Sequence, residues 1–125
     1  MQLTPEILRA AYNYLSETEP FNKWNLPDGE DIGFKVTKPA KGTGQAMGCT
    51  HCTIHDPGDR CEFSIDISEN HHHHTASLML TMAHEMIHVH QRHNCVNRGK
   101  KSHDAAFKKY ALEVCAAHGF DPGQF

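Results

Sequence analysis

Between Thr4 and Leu15 apolar side chains recur at helical spacing, at Ile7, Leu8, Ala11, Tyr14 and Leu15. Thr4 supplies a hydroxyl N-cap, Pro5 the first helical position and Glu6 an acid at the positive end of the dipole. The pattern predicts a helix ending before Glu19-Pro20. Residues 20–31 carry Pro20, Pro27 and Gly29 and read as a loop that Trp24 and Leu26 tuck onto the core. Ile32 to Thr37 alternates and is β-branched, as a strand does. Pro39 to Gly44 is a turn region. Thr50 to His55 and Cys61 to Ser68, joined by Asp56-Pro57-Gly58-Asp59, predict a hairpin. Its second arm aims Cys61, Phe63, Ile65 and Ile67 at the core and Glu62, Ser64, Asp66 and Ser68 at water.

From Thr75 to Arg92 the period changes to that of a helix, with Met79, Met82, Ala83, Met86, Ile87 and His90 in one stripe. The methionines of that stripe read as core packing. Asn94 to Lys101 is a polar loop. Ser102 is predicted to cap a third helix bearing Phe107, Tyr110, Ala111, Val114 and Cys115, and Gly119 stands where a C′ glycine belongs. A short tail carries Phe120, Pro122 and Phe125. The order of helix, antiparallel strands, helix and helix predicts one α+β domain over residues 1–125.

Composition and charge sharpen this picture. Hydrophobic residues are 38% and charged residues 22% of the chain, which excludes a disordered segment. The longest largely apolar stretch, residues 76–83, is far shorter than the roughly 20 residues a membrane span needs. The opening MQLTPEIL has neither a basic nor an apolar signal region, so a reducing cytoplasm is the expected compartment. The 5 Cys, an odd number, then favour free thiols or metal ligands over a disulfide framework. A net charge of −3 excludes a polyanion binder as a whole, yet residues 92–109 hold Arg92, Arg98, Lys100, Lys101, Lys108 and Lys109 against Asp104 alone. A solvated face is the plain reading of that cluster; proximity to DNA is the functional one.

The chemistry concentrates in His84-Glu85-Met86-Ile87-His88. Four residues turn a helix by about 400°, so His84 and His88 share a face one turn apart and can both reach one Zn²⁺ at about 2.0–2.1 Å. Glu85, about 100° round, can reach a metal-bound water but not readily the metal. Such a water has a pKa near about 7, and Glu85 can take its proton and pass it to a leaving amine. A catalytic zinc needs a third protein ligand and an open position. His90 lies about 200° from His88 and His93 about 140°, both off the ligand face. His103 opens the next helix after a loop long enough to reverse the chain, and is the expected third ligand, with His118 in reserve.

These residues resemble a known family. His84 to His88, a loop, and then His103-Asp104-Ala105-Ala106-Phe107 look like the SprT-like, or Spartan-type, metalloproteases, with their H-E-x-x-H and a third histidine in an H-x-x-x-F context. Phe63 to Ser68 resembles the family's strand before the active-site helix. Leu3 to Glu6, Pro20-Phe21, Trp24, Leu26-Pro27 and Phe34 resemble small phage and bacterial members. Asp104 departs from the glycine often found after the third histidine, and residues 1–125 hold no counterpart of the zinc ribbon and partner-binding tails of larger members. The resemblance implies a zincin-like minimal domain and a zinc-dependent endopeptidase with one catalytic Zn²⁺. Protein or peptide is then the substrate, and some members of the family act on proteins crosslinked to DNA.

Other features carry plainer readings. Cys49, Cys52, His55 and Cys61 contain enough donors for a second, structural metal, but Cys49 and Cys52 would point to opposite faces of a strand, so thiols on a hairpin are expected. His71 to His74 reads as a solvated loop. Tyr110, His90 and His51 are candidate hydrogen-bond donors to a transition state. The substrate is expected to lie along a strand edge near residues 61–68. Two rivals to the peptidase remain: a non-catalytic, zinc-stabilised binding module for nucleic acid or protein, and a His-rich metal-handling protein.

Overall fold

Thr4 begins the first helix as the sequence predicts: its hydroxyl accepts from the Ile7 N–H at 3.2 Å, and α1 runs Pro5–Ser16. A computed structural model describes residues 2–38, 48–53, 62–69, 74–93 and 103–125. The buried face of α1 is Leu8, Ala11, Tyr12 and Leu15, whereas Tyr14 is 61% exposed. Tyr12 therefore takes the core position assigned to Tyr14. It stands four residues from Leu8, about 40° round the helix, while Tyr14 stands about 240° round. Its hydroxyl donates to the Pro27 carbonyl at 2.6 Å and so pins the following loop. Trp24 and Phe21 bury the same loop, with Trp24 stacked on His90 at 4.4 Å and edge-on to Tyr110 at 5.2 Å.

The three strands are β1 (Ile32–Thr37), β2 (Gly48–Thr53) and β3 (Glu62–Ser68). β2 and β3 pair antiparallel, with Thr50 opposite Ile65, as the hairpin reading requires. β1, however, pairs with β3 in parallel, with Phe34 opposite Ile65, and the sheet order is β1-β3-β2. The sheet is thus mixed, not antiparallel throughout. Alternation fixes which side chains of β1 face inward but not the direction of its neighbour, so the pattern alone could not decide this. One consequence reaches the function: β3 is paired on both sides and offers no edge, so the substrate edge expected near residues 61–68 cannot be there. The two edges are β1, beside α1, and β2, beside the helix of residues 75–93 that bears His84 and His88.

Ile32, Phe34, Phe63, Ile65 and Ile67 put one sheet face into the core, covered by α1 and α2. α2 runs Thr75–His93 and buries Met82, Ala83, Met86 and Ile87 completely, with Met79 partly buried on the same core. α3 runs Ala105–His118 and packs on α2 through Phe107, Val114 and Cys115. Its N-cap is Asp104, whose carboxylate accepts from the Phe107 N–H at 2.8 Å. The expected cap, Ser102, lies outside the described residues, and His103 precedes the helix instead of opening it. Gly119 ends α3 with φ 75°, the left-handed C′ conformation that glycine adopts without a Cβ penalty.

The turns at 39–44 and 56–59, the loop 94–101, and His71 to His73 also lie outside the described residues, as do His55 and Cys61. Cys49 is exposed and Cys52 half-buried on alternate faces of β2, as expected. Cys49 and Cys115 are free thiols, but Cys52 is disulfide-bonded, against the expectation of thiols throughout. An odd cysteine count excludes a fully paired set, not a single bridge. The described residues form an α+β arrangement of three α-helices and a small mixed sheet, and none of these helices is long and apolar enough to cross a membrane.

Candidate metal centre

α2 brings His84 and His88 to one face, and the chain returning into α3 brings His103 against them. One ligand atom from each of the three lies within 4.8 Å of the other two, and the Nε2 atoms of His84 and His103 are 3.1 Å apart. A tetrahedral ion with bonds of about 2.0–2.1 Å spaces its nitrogen donors by about 3.3 Å, so the three side chains fit a metal ion with small rotations. The group could therefore hold a metal ion.

Two devices outside the ligands hold this geometry. Asp104 Oδ1 both caps α3 and accepts from Gln91 Nε2 of α2 at 3.3 Å, which fixes His103 beside the helix that bears its partners. Asp104 is therefore both the cap and the tie. Phe107 lies under the cluster, with its ring stacked on His103 at 4.5 Å and His88 at 4.7 Å and tilted against His84 at 4.9 Å. A buried aromatic floor limits how far each imidazole can turn.

Burial makes the histidines poor bases and the carboxyl a good one. His84 is pushed down to about 4, first by burial and then by His88 and His103. His88 is also lowered to about 4, by burial, His103 and Arg92, with Asp104 opposing. Both imidazoles are therefore neutral, with a lone pair free for a metal, well below neutral pH. Glu85, only 4% exposed, is raised to about 7 by burial, against the hydrogen bond from Thr50 and the nearby His51. A group poised there can both take and give a proton at neutral pH.

The two shifts have opposite signs in the metal-free protein. His84 and His88 fall below their ordinary 6.5, so their contribution to stability is complete above about 6.5 and lost as the pH drops towards about 4. Glu85 rises above its ordinary 4.5, so its contribution is complete below that value and lost as the pH rises through about 7. Thermal melts of the metal-free protein from pH 7 to pH 4 should show His84→Ala losing less stability on acidification than the wild type. A parallel decline in both proteins would contradict the assignment.

These residues open onto a cleft of about 400 Å³ whose walls include Gly48 and Thr50 of β2, Leu80 and Thr81 of α2, Arg92, and Phe125 of the tail. Phe125 lies 5.5 Å from the His84 ring. Neither Phe125 nor Thr50 carries any periodic signal that joins it to His84 or Glu85; both meet the site only through tertiary packing. The histidines excluded by helix angle are elsewhere. His90 is buried against Trp24 and Tyr110, His93 packs edge-on to Phe63 at 6.2 Å, and His118 is 3.0 Å from the Thr18 hydroxyl. Two of the candidate transition-state donors, Tyr110 and His90, are thus committed to each other and to Trp24. His51 pairs with Asp66 at 3.1 Å on the exposed sheet face. Comparison with known proteins finds no match among family models, curated proteins or solved structures.

Proposed function

We propose that the protein is a zinc-dependent endopeptidase of zincin-like architecture, as its resemblance to the SprT-like metalloproteases implies. The observation that carries this reading is the convergence of three imidazoles, His84 and His88 among them held neutral by burial, and one buried, proton-poised carboxyl on a single open cleft. Three nitrogen donors with no thiolate suit Zn²⁺ with a position left for substrate or water. Bound there, Zn²⁺ supplies Lewis acidity towards water and the scissile carbonyl.

The chain's own residues do the remainder. Glu85 takes a proton from the attacking water and returns it to the leaving amine, so the carboxyl ends the cycle as it began. β2 borders the cleft through Gly48, Cys49 and Thr50, and its outer edge has no strand partner among the described residues. An extended peptide can add to that edge by main-chain hydrogen bonds, which orient the scissile bond without fixing its sequence. Arg92 lines the cleft one turn beyond His88 and presents a cation to an anionic group of the substrate. Lys108 and Lys109 of α3 are exposed and add positive charge to the surface, which keeps DNA-associated proteins within the proposed substrate class. Hydrolysis of an unfolded protein should disappear on treatment with a chelator and return on addition of Zn²⁺. Unchanged hydrolysis by the chelated protein would overturn the reading.

A further inference from the structure

Glu85 carries a buried carboxyl, and such a group needs a hydrogen-bond partner. Among the described residues its side chain has one, and it comes from the sheet. The Thr50 hydroxyl is 2.8 Å from Glu85 Oε1 and 3.2 Å from the Glu85 main-chain oxygen. It sits in the fork between the backbone and side chain of the same glutamate. Thr50 is itself fixed by the β2–β3 pairing, opposite Ile65. Two residues away on the same face of β2, Gly48 allows the close approach. A Cβ there would come within 3.0 Å of Glu85 Oε2, 3.0 Å of Thr81 Cγ2 and 3.2 Å of Glu85 Cγ. Those contacts are tighter than nearly all real ones, and Glu85 would have to shift to relieve them.

From this geometry we infer that Thr50 is a positioning residue for Glu85, and that β2 aims the carboxyl at the same time as it borders the substrate cleft. The inference rests on the hydrolytic reading of the site. A threonine hydroxyl has one proton to donate and lone pairs to accept with. Towards the carboxylate it donates to Oε1. Towards the protonated carboxyl it can accept from Oε1 and turn its own proton to the main-chain oxygen. The carboxyl therefore keeps its partner and its orientation in both forms, and Thr50 keeps its proton throughout. Helix α2 alone cannot do this, because a glutamate side chain has several rotatable bonds and only its Cα is fixed by the helix. Because the aiming group lies on the strand proposed to pair with substrate, displacing that strand would displace the base.

Thr50→Val keeps the β-branched shape and removes the donor; Thr50→Ser keeps the donor. Both are read in the zinc-loaded protein by crystal structure, zinc content and hydrolysis of reduced, unfolded casein. Thr50→Val should retain zinc, show the Glu85 carboxyl displaced or spread over two rotamers, and lose about 10–100-fold in kcat with KM within about twofold. Thr50→Ser should restore both the position and most of the rate. Adding Thr50→Val to Glu85→Gln should slow the protein no further. Thr50→Val with Glu85 undisplaced, or with a further loss on top of Glu85→Gln, would overturn the inference. If wild-type protein cleaves no unfolded substrate, the hydrolytic reading fails on its own, while the position of Glu85 in Thr50→Val still decides whether Thr50 holds it.

Discussion

Glu85→Gln is expected to keep its zinc, its melting temperature and its fold, and to lose hydrolysis by about 10²–10⁴-fold, the usual worth of a general base. Glutamine fills the same space and its amide oxygen can accept from the Thr50 hydroxyl as Oε1 does. It cannot take a proton. Among the described residues Glu85 is the one aspartate or glutamate side chain that lines the cleft. His84 and His88 are lowered to about 4, which makes them poor proton acceptors, and in the proposed site their lone pairs go to the metal. Steady-state rates on one unfolded substrate, with zinc content measured on the same samples, decide the matter. Equal rates in the two proteins would remove Glu85 from the chemistry.

Ligand loss should have the second-largest effect. His84→Ala, His88→Ala and His103→Ala each leave two imidazoles where the ion needs three, so each should weaken zinc binding by more than the 10–100-fold, roughly, that outer partners are worth. His93→Ala should leave it unchanged, since His93 packs on Phe63 and not on the cluster. Competition against a chelator of known affinity ranks the four variants. Stoichiometric zinc in His103→Ala would show that the third donor is another group.

The three-histidine group was legible because a helix imposes its angles on whatever it carries. His84 and His88 had to share a face, and His90 and His93 had to leave it. His103 was legible from the reversal of the chain and from the H-x-x-x-F pattern, though not the reason it is held: that reason is Asp104, which reaches across to Gln91. The sheet was half legible. Alternation in β3 separates Phe63, Ile65 and Ile67 from Glu62, Ser64 and Asp66, and burial follows it that far, but Ser68, expected to face water, is buried at the strand's end. Strand direction and order depend on the path between β1 and β2, which side-chain pattern does not encode, and the substrate edge was misplaced for that reason. Tyr12 was legible in principle, since Leu8, Ala11, Tyr12 and Leu15 form the i, i+3, i+4, i+7 stripe. Thr50 and Phe125 were not, because each meets the site across a tertiary contact with no sequence period behind it.

An open, catalytic metal site differs from a closed, structural one in its fourth ligand. The measurement that bears on it most directly is a crystal structure of the zinc-loaded protein. The expected result is one Zn²⁺ held by His84, His88 and His103 at about 2.0–2.1 Å, with a non-protein oxygen in the fourth position within hydrogen-bond reach of Glu85. A fourth protein ligand closing the shell would contradict it and favour a zinc-stabilised binding module. Zinc bound instead through Cys49 or the 71–74 histidines, with the three-histidine group empty, would contradict it as fully.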